Sequence, residues 1–279
     1  TKYVNMQNLY SGKTLPKEVA GFIAKGGLVT NKQLSEKFGF SKITSANYLS
    51  RARKLGLAIQ VAPNVIISAK QAFPGLTPTK KRILKAIRAQ MPFLDVSIWS
   101  TFDLNKFAHN IIMRETIFIE TVPWAAETLA ETLNASGIKS AVLGRKRDIN
   151  YLSSLMDVPV IVIKRKDTAG TFIDKADAHA HMPTYEKILV DLYFLITRRN
   201  FSLPISELGN IITNISMFNY SLNFSLLNWI ALRRHVSDEM SRALHELKKK
   251  NRDLLIPEKY ARNARLNVKK MSYIQELVG

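Results

Sequence analysis

Between Ser41 and Leu55 the sequence sets Lys42, Thr44, Ser45, Asn47, Ser50, Arg51 and Lys54 opposite an apolar helical face. Short polar and basic side chains in that mixture can donate to phosphate oxygens and read base edges in a major groove. With Tyr48 and Asn64, the candidate DNA-contacting set is Lys42, Thr44, Ser45, Asn47, Tyr48, Arg51, Lys54 and Asn64.

Other chemistry finds less support. Ser11-Gly12-Lys13-Thr14 has only the end of a phosphate-binding loop, because residue 7, where the first glycine belongs, is Gln. GxGxxG, GxSxG and HExxH patterns are absent. His179 and His181 flank Ala180 near Asp174 and Asp177. Two imidazoles and two carboxylates could approach one metal there, sharing a face if the segment were a strand, but its composition is that of a solvated loop. Asp95, Asp103, Glu115 and Glu120 fall near expected strand ends, where caps and surface charges account for them. Trp99, Trp124, Trp229, Phe107, Phe118 and Tyr193 lie on apolar faces and are expected in cores. Cysteine is absent, which excludes disulfides, thiolate zinc sites and a cysteine nucleophile. The sequence assigns no catalytic residue, cofactor or metal.

The elements that must position the polar face are legible in their caps. Thr14 and Pro16 start a helix through Val19, Phe22 and Ile23 that Gly26 and Gly27 end. Thr30 with Gln33 forms a capping box for a second helix, carrying Leu34 and Phe38 and stopped by Gly39. Ser41 caps a third, whose apolar face is Ile43, Ala46, Tyr48, Leu49, Ala52 and Leu55, closing at Gly56. So short a turn between the second and third helices suits a helix-turn-helix, and two β-rich runs from Leu57 to Ile67 around Ala62, Pro63 and Asn64 have the size of a wing.

Phe73, Pro74, Gly75 and Pro78 mark a linker, followed by a basic helix from Thr79 to Gln90. Strands are then expected at Asp95–Ser100, Thr116–Glu120, Lys139–Leu143 and Pro159–Lys164. Between them fall helices from Leu104, from Trp124 to Ala135, and before Pro159. After Pro183 only helices are expected: Thr184–Thr197, Ser206–Ile215, Ser221–Arg234, Ser237–Lys250 and Pro257–Val278. The expected fold class is α+β. Residues 1–72 form a winged helix-turn-helix, 73–200 a mixed α/β sheet domain, and 201–279 a helical C-terminal region packed on the middle domain with a basic tail.

Charge favours a polyanionic partner. The 279 residues carry a net +19, with 46% hydrophobic and 23% charged residues, ordinary proportions for a folded protein. Residues 1–72 hold 11 basic and 2 acidic side chains, residues 73–230 hold 18 and 14, and residues 231–279 hold 12 and 6. The two ends therefore carry most of the excess. Lys248, Lys249, Lys250, Arg252, Arg262, Arg265, Lys269 and Lys270 make the tail either a solvated helical face or a second nucleic-acid surface. No run is long enough to span a membrane and no signal segment opens the chain, so a cytoplasmic location is expected.

Three stretches resemble AbiEi-like antitoxins of type IV toxin-antitoxin systems and related winged-helix proteins. They are the Thr30–Ile67 segment with Asn31-Lys32-Gln33-Leu34 and Tyr48-Leu49-Ser50-Arg51, the run Ser97-Ile98-Trp99-Ser100-Thr101 followed by Leu104-Asn105-Lys106-Phe107, and Pro183-Thr184-Tyr185-Glu186-Lys187-Ile188-Leu189-Val190-Asp191-Leu192. The likeness spans most of residues 15 to 235 and stops before the basic tail. It implies a repressor of its own promoter that binds inverted repeats of double-stranded DNA, and a second domain opposing a nucleotidyltransferase-type toxin. The middle domain of such proteins has been likened to a nucleotidyltransferase, yet Gly170-Thr171 is followed by Asp174 and Asp177 in the wrong spacing for the metal-binding aspartates of that chemistry. Two alternatives stay open: a nucleic-acid-processing enzyme to which the winged helix delivers substrate, and an RNA-binding or toxin-neutralising protein whose basic tail meets the partner. A palindromic operator could be met by a dimer or by two monomers.

Overall fold

Side-chain caps and one left-handed turn organise the N-terminal part. The computed structural model describes residues 15–24, 28–55, 57–62, 65–68, 74–109, 114–144, 160–165, 167–174, 177–217, 222–254 and 256–279. Helix α1 (Lys17–Ala24) leads to strand β1 (Leu28–Thr30), helices α2 (Asn31–Phe38) and α3 (Lys42–Lys54), and strands β2 (Ala58–Ala62) and β3 (Val65–Ser68). Thr30 caps α2 reciprocally: its Oγ1 accepts from Gln33 N at 3.1 Å, and its own backbone N donates to Gln33 Oε1 at 2.8 Å. Gly39 ends α2 at φ +68°, a conformation that side chains disfavour, and Ser41 Oγ then accepts from Thr44 N to start α3. The expected signals at Thr14, Gly26, Gly27, Gly56, Pro63, Asn64 and Phe73 lie outside the described residues.

Strand β1 corrects the sequence reading, which left Leu28–Thr30 unassigned because three residues are too few to show alternation. It pairs antiparallel with β3, Val29 opposite Ile66, giving a sheet in the order β1-β3-β2. Val19, Ile23, Leu34, Tyr48, Leu49, Ala52 and Ala58 join Val29 and Ile66 in one small core. Phe22, Phe38, Phe40 and Tyr48 run along it as a row of ring contacts, with centroids 5.7, 5.5 and 5.0 Å apart.

The chain divides into two units, one made of Thr1–Phe73 with Phe218–Asn223 and the other of Pro74–Met217 and Phe224–Gly279. The second contains α4 (Pro78–Gln90), β4 (Val96–Ser100), β5 (Ile117–Thr121), α5 (Ala126–Ala135), β6 (Ser140–Val142), β7 (Val160–Lys164), β8 (Thr171–Ile173) and β9 (Ala180–Pro183). Helices α6 (Tyr185–Arg199), α7 (Ile205–Met217), α8 (Phe224–Arg233), α9 (Ser237–Lys250) and α10 (Val268–Val278) follow. The sheet order is β6-β7-β5-β4-β9-β8, with β5, β6 and β7 mutually parallel, β4 antiparallel to β5 and β8 antiparallel to β9. On one face Ile98, Ile117, Ile119, Val160 and Val162 pack with Ile83 and Ile87 of α4 and Leu129 and Leu133 of α5. On the other, Trp99 stacks on Phe118 at 4.4 Å, and Phe201 meets Phe118 edge-on. Burial on both faces explains why these strands read as unbroken apolar runs. The architecture is α+β, with one three-stranded and one six-stranded sheet among the helices. No helix among the described residues is long and apolar enough to cross a membrane.

Four expectations need correction here. The stretch around His179 and His181, expected as a solvated loop, contains strand β9 (Ala180–Pro183), which lies between β4 and the edge strand β8 (Thr171–Ile173). The helix expected from Leu104 is a single 3-10 turn, Thr101–Leu104, held by Asp103, whose carboxylate accepts from Ser100 N and from Lys80 Nζ. The helix expected over Pro257–Val278 is interrupted: a 3-10 turn at Glu258–Tyr260 is followed by non-helical chain until Asn267 caps α10. Trp124 and Trp229 are 78% and 48% exposed and so lie outside the core, while Trp99, Phe107, Phe118 and Tyr193 are inside it.

Asp103 and Glu120, expected as caps or surface charges, are buried and paired. Glu120 on β5, Lys187 and Asp191 one turn apart on α6, and Arg234 after α8 close a ring of two cations and two carboxylates. Lys187 Nζ donates to Glu120 at 2.8 Å and to Asp191 at 2.7 Å, and the Arg234 guanidinium bridges the same two carboxylates. Burial pushes the Glu120 carboxyl up despite its partners. At Asp191 burial also opposes charge, but Arg234 and Lys187 outweigh it and hold the carboxyl below the usual range. Gly209 of α7 is needed for packing, since a Cβ there would stand 2.0 Å from the Leu277 carbonyl oxygen of α10.

Two stability experiments follow from these pairs. Lys187→Met leaves two buried carboxylates facing one guanidinium and should cost roughly 3–5 kcal/mol in urea unfolding; a loss below about 1 kcal/mol would contradict the ring's role. Asp167 is buried beside Arg165. Burial works against its charge, but the Ala169 N–H and the Arg165 guanidinium prevail and bring its carboxyl from 3.8 to about 2. A depressed folded value supplies stability above the unfolded one and loses it as pH falls through about 2. Asp167→Asn should therefore lose roughly 2 kcal/mol at neutral pH and show a shallower fall in urea midpoint from about pH 5 to pH 3. Parallel pH profiles for the two proteins would refute the assignment.

Candidate nucleic-acid interface

Helix α3 is pinned on one side only. Ser45, Tyr48, Leu49 and Ala52 are buried, and Ser45 Oγ lies 3.0 Å from Ser35 Oγ of α2. At about 100° per residue, this buried arc directs Ile43, Asn47, Ser50 and Lys54 to the opposite side, one below another along the helix. Lys42, Asn47, Arg53 and Lys54 are exposed, Ser50 and Arg51 half-buried.

The structure sorts the expected contacts. Lys42, Asn47 and Lys54 are free to meet a partner. Arg51 is half-buried, its guanidinium 5.8 Å from the centroid of the Tyr48 ring. Thr44 is half-buried, and its hydroxyl is 2.9 Å from Ser41 Oγ within the cap. Ser45 and Tyr48 are corrections: Ser45 is fully buried against α2, and Tyr48 packs on Phe40 in the core, so neither presents its side chain outward. Asn64 lies outside the described residues.

Ile43 is the reverse case. Expected on the apolar face, it is 76% exposed in the middle of the polar one. The helical wheel carries the signal, for Ile43 precedes Ala52 by nine residues, about half a revolution away from the most buried position. Reading Ile as core by type alone hid it. Arg53, also exposed, adds a cation that the spacing argument passed over.

Charge separates the units. In the first, Lys32 and Glu36 form an exposed pair at 3.7 Å, and Lys42, Arg53 and Lys54 have no carboxylate partner among the described residues. In the second, buried carboxylates take up cations: Lys80 on Asp103, the ring around Glu120 and Asp191, and Glu239, which accepts from Tyr193, Arg198 and Lys270.

The metal arrangement considered for His179 and His181 is not assembled. His181 is on β9 and His179 precedes it. His179 Nδ1 stands 2.8 Å from Asp95, and Asp177 accepts from Arg88 Nε at 2.6 Å. Among the described residues no three His, Asp or Glu side chains are grouped as metal ligands. Ser11–Thr14, the partial phosphate loop, lies outside the described residues. A cleft of about 470 Å³ in the second unit is lined by Met91, Phe93, Leu94, Asp95, Val122 and Trp124 among others. Its single charged wall residue is the Asp95 carboxylate, so it suits phosphate poorly. The α3 surface is the better candidate for a polyanion.

The model of a family of unknown function (DUF6577) matches residues 47–250, beginning within α3 and running through α9. No curated protein matches the chain.

Burial and exposure on α3 can be told apart by experiment. Ser45→Ala should cost about 1 kcal/mol of stability through the lost Ser35 contact and leave nucleic-acid affinity unchanged, and Asn47→Ala should leave stability within about 0.5 kcal/mol. Urea titration beside a duplex-binding assay checks both; a Ser45→Ala protein of full stability but weakened binding would place Ser45 at the interface instead.

Proposed function

The chain belongs to DUF6577, and from that premise we propose that it is a sequence-specific double-stranded DNA-binding regulator whose first unit is a winged helix-turn-helix. Helix α3 enters the major groove, and the β2–β3 hairpin is the wing against backbone or minor groove. One observation carries this reading: α3 is anchored along one arc and presents Lys42, Asn47, Arg51 and Lys54 on the rest, with no acidic side chain anywhere in the helix.

Each group has a role of its own kind. Lys42 and Lys54, near opposite ends of the helix, neutralise phosphates and position it. Asn47, a full turn in from Lys42, has the amide that can bond an adenine edge at two atoms. Arg51 suits guanine or phosphate, its guanidinium already supported by Tyr48. The resemblance to AbiEi-like antitoxins extends the proposal: the operator is an inverted repeat at the protein's own promoter, and the second unit opposes a nucleotidyltransferase-type toxin. The Lys187–Asp191 pair that lies in the third resembling stretch supports that unit as a rigid scaffold rather than a reaction centre, because its charges are buried and mutually satisfied.

The test is a titration of the full chain against the duplex upstream of its own gene and against a scrambled duplex, across salt, with Asn47→Ala and Arg51→Ala. Selective binding is expected. With about six phosphates neutralised, affinity should fall roughly a thousandfold between 50 and 200 mM salt. Asn47→Ala should lose about 1–3 kcal/mol of discrimination at one base pair. Equal affinity for both duplexes would reduce the first unit to an electrostatic docking module and refute sequence-specific regulation.

A further inference from the structure

Ile43 is the one large apolar side chain among the outward residues Ile43, Asn47, Ser50 and Lys54 of α3. It is 76% exposed and shares its stripe with Asn47, Ser50 and Lys54. It is not needed for folding, since the core of the unit is formed without it. Nor is it chosen for helix propensity, because β-branched side chains lower it and Ala would serve the helix better. What Ile offers is a rigid apolar surface: its χ1 is almost fixed in a helix, so little freedom is lost when it packs against something. It can neither donate nor accept a hydrogen bond. In a major groove, the apolar feature that distinguishes one base from the others is the thymine 5-methyl group.

We propose that Ile43 is a specificity-determining residue that packs on a thymine methyl group in the major groove. The proposal rests on the DNA-binding reading above and sharpens it. Ile43 lies in the first turn of α3, the end at which helices of this kind approach base edges, and Asn47 follows one turn later on the same stripe. Residues at i and i+4 are about 6 Å apart along the axis, so the thymine lies within about two base pairs of the base that Asn47 reads. The adjacent cations hold the helix close enough for an apolar contact to form, and the methyl contact adds the sequence information that phosphate contacts lack.

The experiment selects duplexes from a random pool with the full chain, then replaces each thymine of the enriched sequence by uracil, which removes only the methyl group. Burying about one methyl group corresponds to roughly a fourfold change in affinity. At one thymine, uracil should weaken wild-type binding about fourfold. Ile43→Ala should weaken binding to the thymine duplex by at least that factor and bind the two duplexes equally, and circular dichroism should show an unchanged, equally stable fold. The sensitive thymine should lie within about two base pairs of the position relaxed in Asn47→Ala. An enriched sequence without any methyl-sensitive position, or an Ile43→Ala protein that keeps the wild-type sensitivity, overturns the role of Ile43 and leaves sequence-specific binding standing. Failure to enrich any sequence overturns both.

Discussion

The contact of α3 with its own unit decides which residues can do anything else. Ser45, Tyr48, Leu49 and Ala52 form a narrow buried arc on α2 and the small sheet, and a helix fixed along one arc has no choice about the other. The caps at Thr30 and Ser41 and the left-handed Gly39 set where the arc begins, and the aromatic row from Phe22 to Tyr48 backs it. Once these are in place, Ile43, Asn47, Ser50 and Lys54 are held outward on a rigid element, which is how a reading surface achieves geometry rather than mere charge.

Among the described residues, buried ion pairs set the second unit apart, although it too keeps many cations at the surface. The second draws lysines and arginines inward onto Asp103, Glu120, Asp191 and Glu239, linking α4 to the turn after β4, the sheet to α6, and α6 to α9 and α10. Pairs of that kind specify a packing arrangement more than they add net stability, because desolvation offsets much of the attraction. The first unit leaves its cations at the surface, where salt screens them. A net +19 says nothing about this division; only the placement of the carboxylates does.

Much of this was legible because it is local. Capping residues act over three or four positions, so Thr30 with Gln33, Gly39, and Ser41 could be read directly, as could apolar β4, β5 and β7 and the helix ending at Lys250. What escaped depends on distant partners. Strands β8 and β9 are only three and four residues long, and their identity comes from pairing with each other and, for β9, with β4. Lys187 and Asp191 stand four residues apart on one helix, and only Glu120 and Arg234, far away in sequence, make them part of a buried ring. Ser45 is polar, yet Ser35 gives it a buried partner; Ile43 is apolar, yet no neighbour covers it. In both cases residue type pointed one way and helical phase the other, and phase decided.

The most direct test is to map where the full chain touches DNA. A duplex enriched by the protein from a random pool would carry 5-iodouracil in place of successive thymines, and mass spectrometry would identify the cross-linked residues. Cross-links are expected within residues 42–54. Cross-links confined to the basic tail between Lys248 and Lys270 would contradict it, and would move the nucleic-acid interface to the second unit.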